Sequence, residues 1–127
     1  MNLKILIALF IIIIICDLVY FTLNKKLIST ITDPKNLKIH FGLLAWSIMA
    51  YSVYYFIMRN SEWSIKEKIK NASILGFCIY AIYNFTNLAI YNFYNIKLAI
   101  VDTLWGTFLF GFVVFIIDLI NHFYKLY

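Results

Sequence analysis

The sequence predicts an all-α, integral-membrane, four-helix antiparallel bundle, and three observations carry that expectation. Hydrophobic residues make up 64% of the 127 and charged residues only 13%, which suits a chain whose main solvent is lipid. Four apolar runs are each long enough for the roughly 30 Å hydrocarbon layer, which takes about 20 residues of helix. The links between them are short and hold the single proline.

The first run, Leu3 to Leu23, contains five consecutive isoleucines. A cleaved signal peptide would show a small-x-small cleavage site and an uninterrupted apolar region. Neither is present, because Asp17 falls inside the run, so a retained helix is expected. The second run, Phe41 to Met58, is short and the fourth, Ile96 to about Phe123, is long, so tilt is expected. The third is Ala72 to Tyr91. The link Asn24 to His40 holds Asp33-Pro34, a turn signal. The link Arg59 to Asn71 carries Trp63-Ser64-Ile65-Lys66-Glu67-Lys68-Ile69-Lys70, read as a short amphipathic turn along the membrane surface. Asn92 to Asn95 is a tight link, and the whole reads as one membrane domain over residues 1–127.

Four crossings put both termini and the second link on one face. That face carries Lys4, Arg59, Lys66, Lys68, Lys70 and Lys125 against Lys25, Lys26, Lys35, Lys38 and Lys97 on the other. The excess of one positive residue expects both termini in the cytoplasm. The formal charge of +5 has no basic stripe or motif with it, so it reads as contacts to anionic lipid head groups, with nucleic acid excluded as a partner. Cys16 and Cys78 lie at depths about 10 Å apart and are read as packing residues, with no disulfide. No Cys/His cluster, glycine-rich phosphate loop or Gly-x-Ser-x-Gly turn occurs, so neither a metal nor a cofactor is expected.

Asp17 and Asp102 are the candidates for function. A carboxylate inside a membrane segment costs several kcal/mol unless paired or neutralised, which makes it a site hypothesis by default. Asp17 is six residues from the expected end of the first helix, Asn87 four from the end of the third, and Asp102 six from the start of the fourth. At 1.5 Å per residue these side chains share a layer roughly 6–9 Å below the non-terminal face. Tyr80, Tyr83, Asn84, Asn87 and Tyr91 recur at helical spacing, as do Asp102, Trp105 and Leu109, and Tyr20 lies one turn after Asp17. With Thr86 beside them, Asp17, Asp102, Asn84, Asn87, Tyr83, Tyr20 and Trp105 are expected to form a pocket open toward the non-terminal face, with His40 able to reach its rim. Asp118 and His122 are one turn apart on the opposite side of the fourth helix and read as a local pair. The bland reading is that these polar groups join helices, and that Gly106, Thr103 and Thr107 let them approach closely.

The stretch Gly76 to Asn87 with Leu88-Ala89, followed by Val101-Asp102-Thr103-Leu104-Trp105-Gly106-Thr107, resembles a family of small bacterial membrane proteins, domain of unknown function 2177. Its members have four helices, an Asp followed three residues later by an aromatic in the first, Tyr-Asp-Leu-Thr-Asn-Leu-Ala in the third and Asp-x-x-Trp-Gly in the fourth. Asp17 with Tyr20 fits the first element. Asn84 stands where the family has an acid and Tyr20 where it has tryptophan, so chemistry needing three acids is not implied. The family's setting near genes for fatty-acyl and phospholipid modification implies a lipid-like ligand.

Three functions follow as expectations. The first is a non-enzymatic module that binds a lipid or small amphiphile through the acidic and aromatic pocket. The second is an intramembrane lipid-modifying enzyme using Asp17 and Asp102 as a carboxyl pair. The third is a proton or cation pathway, which at this size requires a homo-oligomer.

Overall fold

A computed structural model describes residues 1–127, with all side chains but that of Pro34. Helix α1 spans Leu3–Leu23, the short α2 Lys25–Ile28, α3 Ile39–Val53, α4 Ile65–Ile90 and α5 Ile96–Tyr124. A 3-10 turn covers Pro34–Asn36, and α3 runs on into a π-helical turn at Tyr54–Met58. No strand occurs among the described residues. Counting α3 with its π turn, four helices are long and apolar enough to cross a membrane.

The two acceptor side chains that open α1 and α5 follow from their residue types. Asn2 accepts from the Ile5 N–H and Asn95 from the Lys97 N–H, each filling an orphan donor of a helix N-terminus. On α1 the buried residues are Ile5, Leu9, Ile13, Asp17 and Tyr20, a stripe at three- and four-residue steps. Asp17 therefore points where the core isoleucines point.

Helix α4 begins seven residues before the expected Ala72 and ends at Ile90, and α3 begins two before the expected Phe41. The amphipathic turn expected at Trp63 to Lys70 is instead the entry of α4. Ser64 accepts from the Glu67 N–H at 3.3 Å, and Glu67 Oε2 accepts from the Ser64 N–H at 2.7 Å. This capping box starts the helix inside the lysine-rich segment. At 1.5 Å per residue α4 is about 39 Å long, so its first turns continue beyond the apolar layer.

Helix α5 is the hub. It packs along α4 and also against α1, α1 packs against α3, and the π turn of α3 touches α4. Leu109, Phe110, Val113, Val114 and Ile117 of α5 meet Leu9 and Ile13 of α1 and Ala50 and Val53 of α3 in one core. The α4–α5 contact depends on glycine. A β-carbon on Gly106 would fall inside the Tyr80 ring, and one on Gly76 would strike the Gly106 carbonyl and Phe110. Thr103 and Thr107 turn their hydroxyls back to the carbonyls of Ala99 and Thr103 on their own helix. They add no polar bond across the seam.

Both termini lie at one end of the bundle. The Asn2 N–H donates to the Tyr54 hydroxyl at 2.7 Å and the Asn2 side chain to the Leu126 carbonyl. With Cys16 and Cys78 replaced by alanine, single cysteines at positions 66 and 125 should label from one side of a sealed membrane, and a cysteine at position 35 from the other. Labelling of positions 35 and 66 from the same side would refute this topology.

Candidate functional site

Measured from the observed helix ends, Asp17 is six residues from Leu23, Asp102 six from Ile96 and Asn84 six from Ile90. They occupy one layer about 9 Å inside the ends of the helices. Asn84, rather than Asn87, is the α4 residue of that layer, because it points inward with no exposure at the depth of the acids, whereas Asn87 lies three residues from Ile90 and is only half-buried.

Asp17 is held by two tryptophans. The Trp46 indole N–H donates to Oδ2 at 2.7 Å and the Trp105 indole N–H to Oδ1 at 2.8 Å. An indole nitrogen can only donate and a carboxylate oxygen can only accept, so the match is complete on both sides. The bonds tie α1 to α3 and α5 at a single point. Asp17 is 4% exposed, and these charge-assisted bonds offset part of the cost of placing it there.

Asp102 is held from α4. Asn84 Nδ2 donates to Asp102 Oδ2 at 2.7 Å and to the Tyr80 carbonyl at 2.8 Å. The Asn84 carbonyl oxygen accepts from the Tyr94 hydroxyl at 2.7 Å. An acid at position 84 would set carboxyl against carboxyl, whereas the amide supplies the donor Asp102 needs. Tyr94 lies in the link between α4 and α5, and burial pushes its hydroxyl above the usual phenol range. It therefore remains a protonated donor at physiological pH.

Tyr20 joins the two halves. Its ring stacks on Trp105 with centroids 4.9 Å apart and planes 7° from parallel, a geometry worth about 0.5–1.5 kcal/mol beyond area burial. Its hydroxyl is buried within reach of the Asp102 carboxylate, yet makes no hydrogen bond of good geometry among the described residues. Asp102 uses Oδ2 for Asn84, and its Oδ1 takes no hydrogen bond of good geometry among those residues. Asp102 itself is only half-buried.

The structure thus brings together Asp17, Asp102, Asn84, Tyr20 and Trp105. Tyr83 and Thr86 are exposed on the outer side of α4 and take no part. Asn87 is half-buried next to Tyr94 and outside the Asp102 contact. His40 is exposed, its ring against Phe41. Asp118 and His122 form no ion pair or hydrogen bond among the described residues.

The expected opening toward the non-terminal face is covered. Leu27, Ile28 and Ile31 of the first connection pack on Tyr94, Leu98 and Ala99, since apolar residues in a polar connection lower their free energy by covering other apolar surface. Two shallow concavities lie away from the acids. One is at the termini, and the other is a groove of about 210 Å³ lined by Leu6, Ile7, Phe10, Ser47 and Ala50.

Sequence reasoning missed Trp46 and Tyr94. Trp46 is seven residues from the start of α3, so the depth count applied to α1, α4 and α5 would have placed it in the same layer. A buried indole also demands an acceptor, and the two acids of that layer are the acceptors at its depth. Tyr94 carried no such signal, because an aromatic in a link is equally at home at the membrane interface.

The model of a family described as "Predicted membrane protein (DUF2177)" matches residues 2–117. No curated protein and no solved structure matches the chain.

Proposed function

We propose, starting from the chain's membership of the DUF2177 family of predicted membrane proteins, that this membrane protein binds a lipid or small amphiphile whose polar group meets Asp102 and Tyr20. One observation carries the reading. The Tyr20 hydroxyl, 4% exposed as a residue, lies within reach of the Asp102 carboxylate but makes no hydrogen bond of good geometry to it or to any other group among the described residues, and Asp102 keeps an unbonded oxygen. Buried polar groups are ordinarily satisfied, and an orphan of this kind calls for an explanation such as a ligand.

The division of labour between the acids supports binding over chemistry. Both oxygens of Asp17 are occupied by donors that cannot accept a proton, so Asp17 acts as a clasp and Asp102 is the group left to meet a ligand. The proton-pathway alternative loses support at Asn84, which lies between Tyr94 and Asp102 and whose amide is not a proton carrier at ordinary pH. We place both termini in the cytoplasm on the one-residue excess of positive charge at that end. The acid layer then lies toward the opposite leaflet.

The test is native mass spectrometry of protein purified in mild detergent. The wild type should retain a lipid-sized adduct, and Asp102→Asn should reduce its occupancy about tenfold, the loss of one charge-assisted contact. Equal retention in both, or no adduct in either, would refute the reading. Product formed from a lipid extract by the wild type and not by Asp102→Asn would replace it with the intramembrane enzyme.

A further inference from the structure

Resting on the binding reading above, we infer that the ligand's polar group is a cation, the ammonium of an alkylamine-type amphiphile, held between Asp102 Oδ1 and the Tyr20 phenolic oxygen. Asp17 and Asp102 share a layer inside the apolar segments, and every side chain bonded to them is neutral: Trp46 and Trp105 on Asp17, Asn84 on Asp102. No lysine, arginine or histidine pairs with either acid among the described residues, and Lys25, Lys26 and Lys97, at the same end of the bundle, are exposed. Neutral donors lower the cost of a buried carboxylate but leave its charge in place. A cationic ligand would supply what the protein omits.

The unused atoms fit the same chemistry. Asp102 Oδ1 is an acceptor and the Tyr20 oxygen can accept, while an ammonium offers three donors. One such group can satisfy both at once. Tyr20, beside Asp102 and stacked on Trp105, gives the aromatic surroundings that tolerate an alkylammonium. A carboxylate or phosphate head would meet two like charges, and an alcohol would leave the charge uncompensated.

The experiment uses the full chain carrying Trp63→Phe, so that intrinsic fluorescence reports Trp46 and Trp105, in nanodiscs of phosphatidylcholine. Dodecylamine, dodecanol and dodecanoate share one chain and differ only in head group. Dodecylamine should produce a saturable change, weakened about tenfold by Asp102→Asn and less by Tyr20→Phe, as expected for loss of a charged and a neutral contact. Dodecanol and dodecanoate should not saturate in that range. Competition by phosphatidylethanolamine in the disc would support the ammonium and name the bilayer as its source. Dodecanol binding as tightly, with the same dependence on Asp102, would overturn the cation and keep the amphiphile site. Absence of any Asp102-dependent saturation would overturn both. Thermal unfolding of each variant, with Tyr20→Phe as the milder change, separates lost binding from lost folding.

Discussion

Gly106→Leu is expected to unfold the protein at a markedly lower temperature than the wild type, and Gly106→Ala to do so in part. Even a single β-carbon at this position lies within the Tyr80 ring. That ring is fixed in turn by its edge contact with Phe110, at 6.2 Å between centroids. The side chain cannot swing away without opening the α4–α5 seam, where α4 makes most of its helix contacts. Helices in lipid associate through close packing of small residues rather than through a hydrophobic force, so lost approach is not recovered elsewhere. Overpacking costs about 1–3 kcal/mol for a few added methylenes, and a leucine here should exceed about 3 kcal/mol. Gly42→Ala is the control, because its β-carbon would meet only the Trp46 ring at 3.9 Å, an ordinary contact. Melting curves in detergent by circular dichroism decide it. Gly106→Leu melting with the wild type would mean that the seam is not close-packed.

Asp17→Asn should destabilise the fold while Asp102→Asn should not, although the two substitutions are chemically identical. At position 17 both oxygens accept from donor-only indoles. An asparagine amide there turns one N–H₂ toward an indole N–H, two donors face to face, which costs about 1–3 kcal/mol. At position 102 only Oδ2 has a bonded partner, Asn84, and an asparagine can present its carbonyl oxygen there. The change should cost less than about 1 kcal/mol. Sequence alone suggests that both variants keep their stability, on the ground that asparagine has the shape of aspartate. Shape is matched at both sites; donor count is matched only at Asp102. Equal melting temperatures for the two variants would remove the clasp role from Asp17. Trp46→Phe, which deletes one donor and keeps the ring packing, should fall in the same range as Asp17→Asn by the same measurement.

The candidate site was legible in depth and illegible in partner. Asp17 and Asp102 could be placed in one layer because helical rise is a constant of the backbone. Asn87 was matched to that layer on depth, but the inward phase of α4 gives the place to Asn84, three residues deeper. The entry of α4 was missed for a different reason. Lys66, Lys68 and Lys70 are not apolar, and a search for spans reads them as a connection. The Ser64-x-x-Glu67 pattern was nonetheless present as a start signal.

The sequence by itself determined the four spans, the placement of both termini at one end and the common depth of the acids. Each follows from chain length, apolarity and the fixed rise of a helix, none of which needs a neighbour. Only the tertiary structure decided which faces turn inward and which donors the acids meet. In water a polar face would have marked the outside of α1, but in lipid its outer residues Ile7, Ile11 and Ile15 are as apolar as its buried Leu9 and Ile13. Hydropathy therefore carries no phase along that helix, and polarity does not encode burial. The phase is set by contacts distant in sequence: glycines that let α4 close on α5, and two indoles, 29 and 88 residues from Asp17 along the chain, that reach it only once the helices have packed.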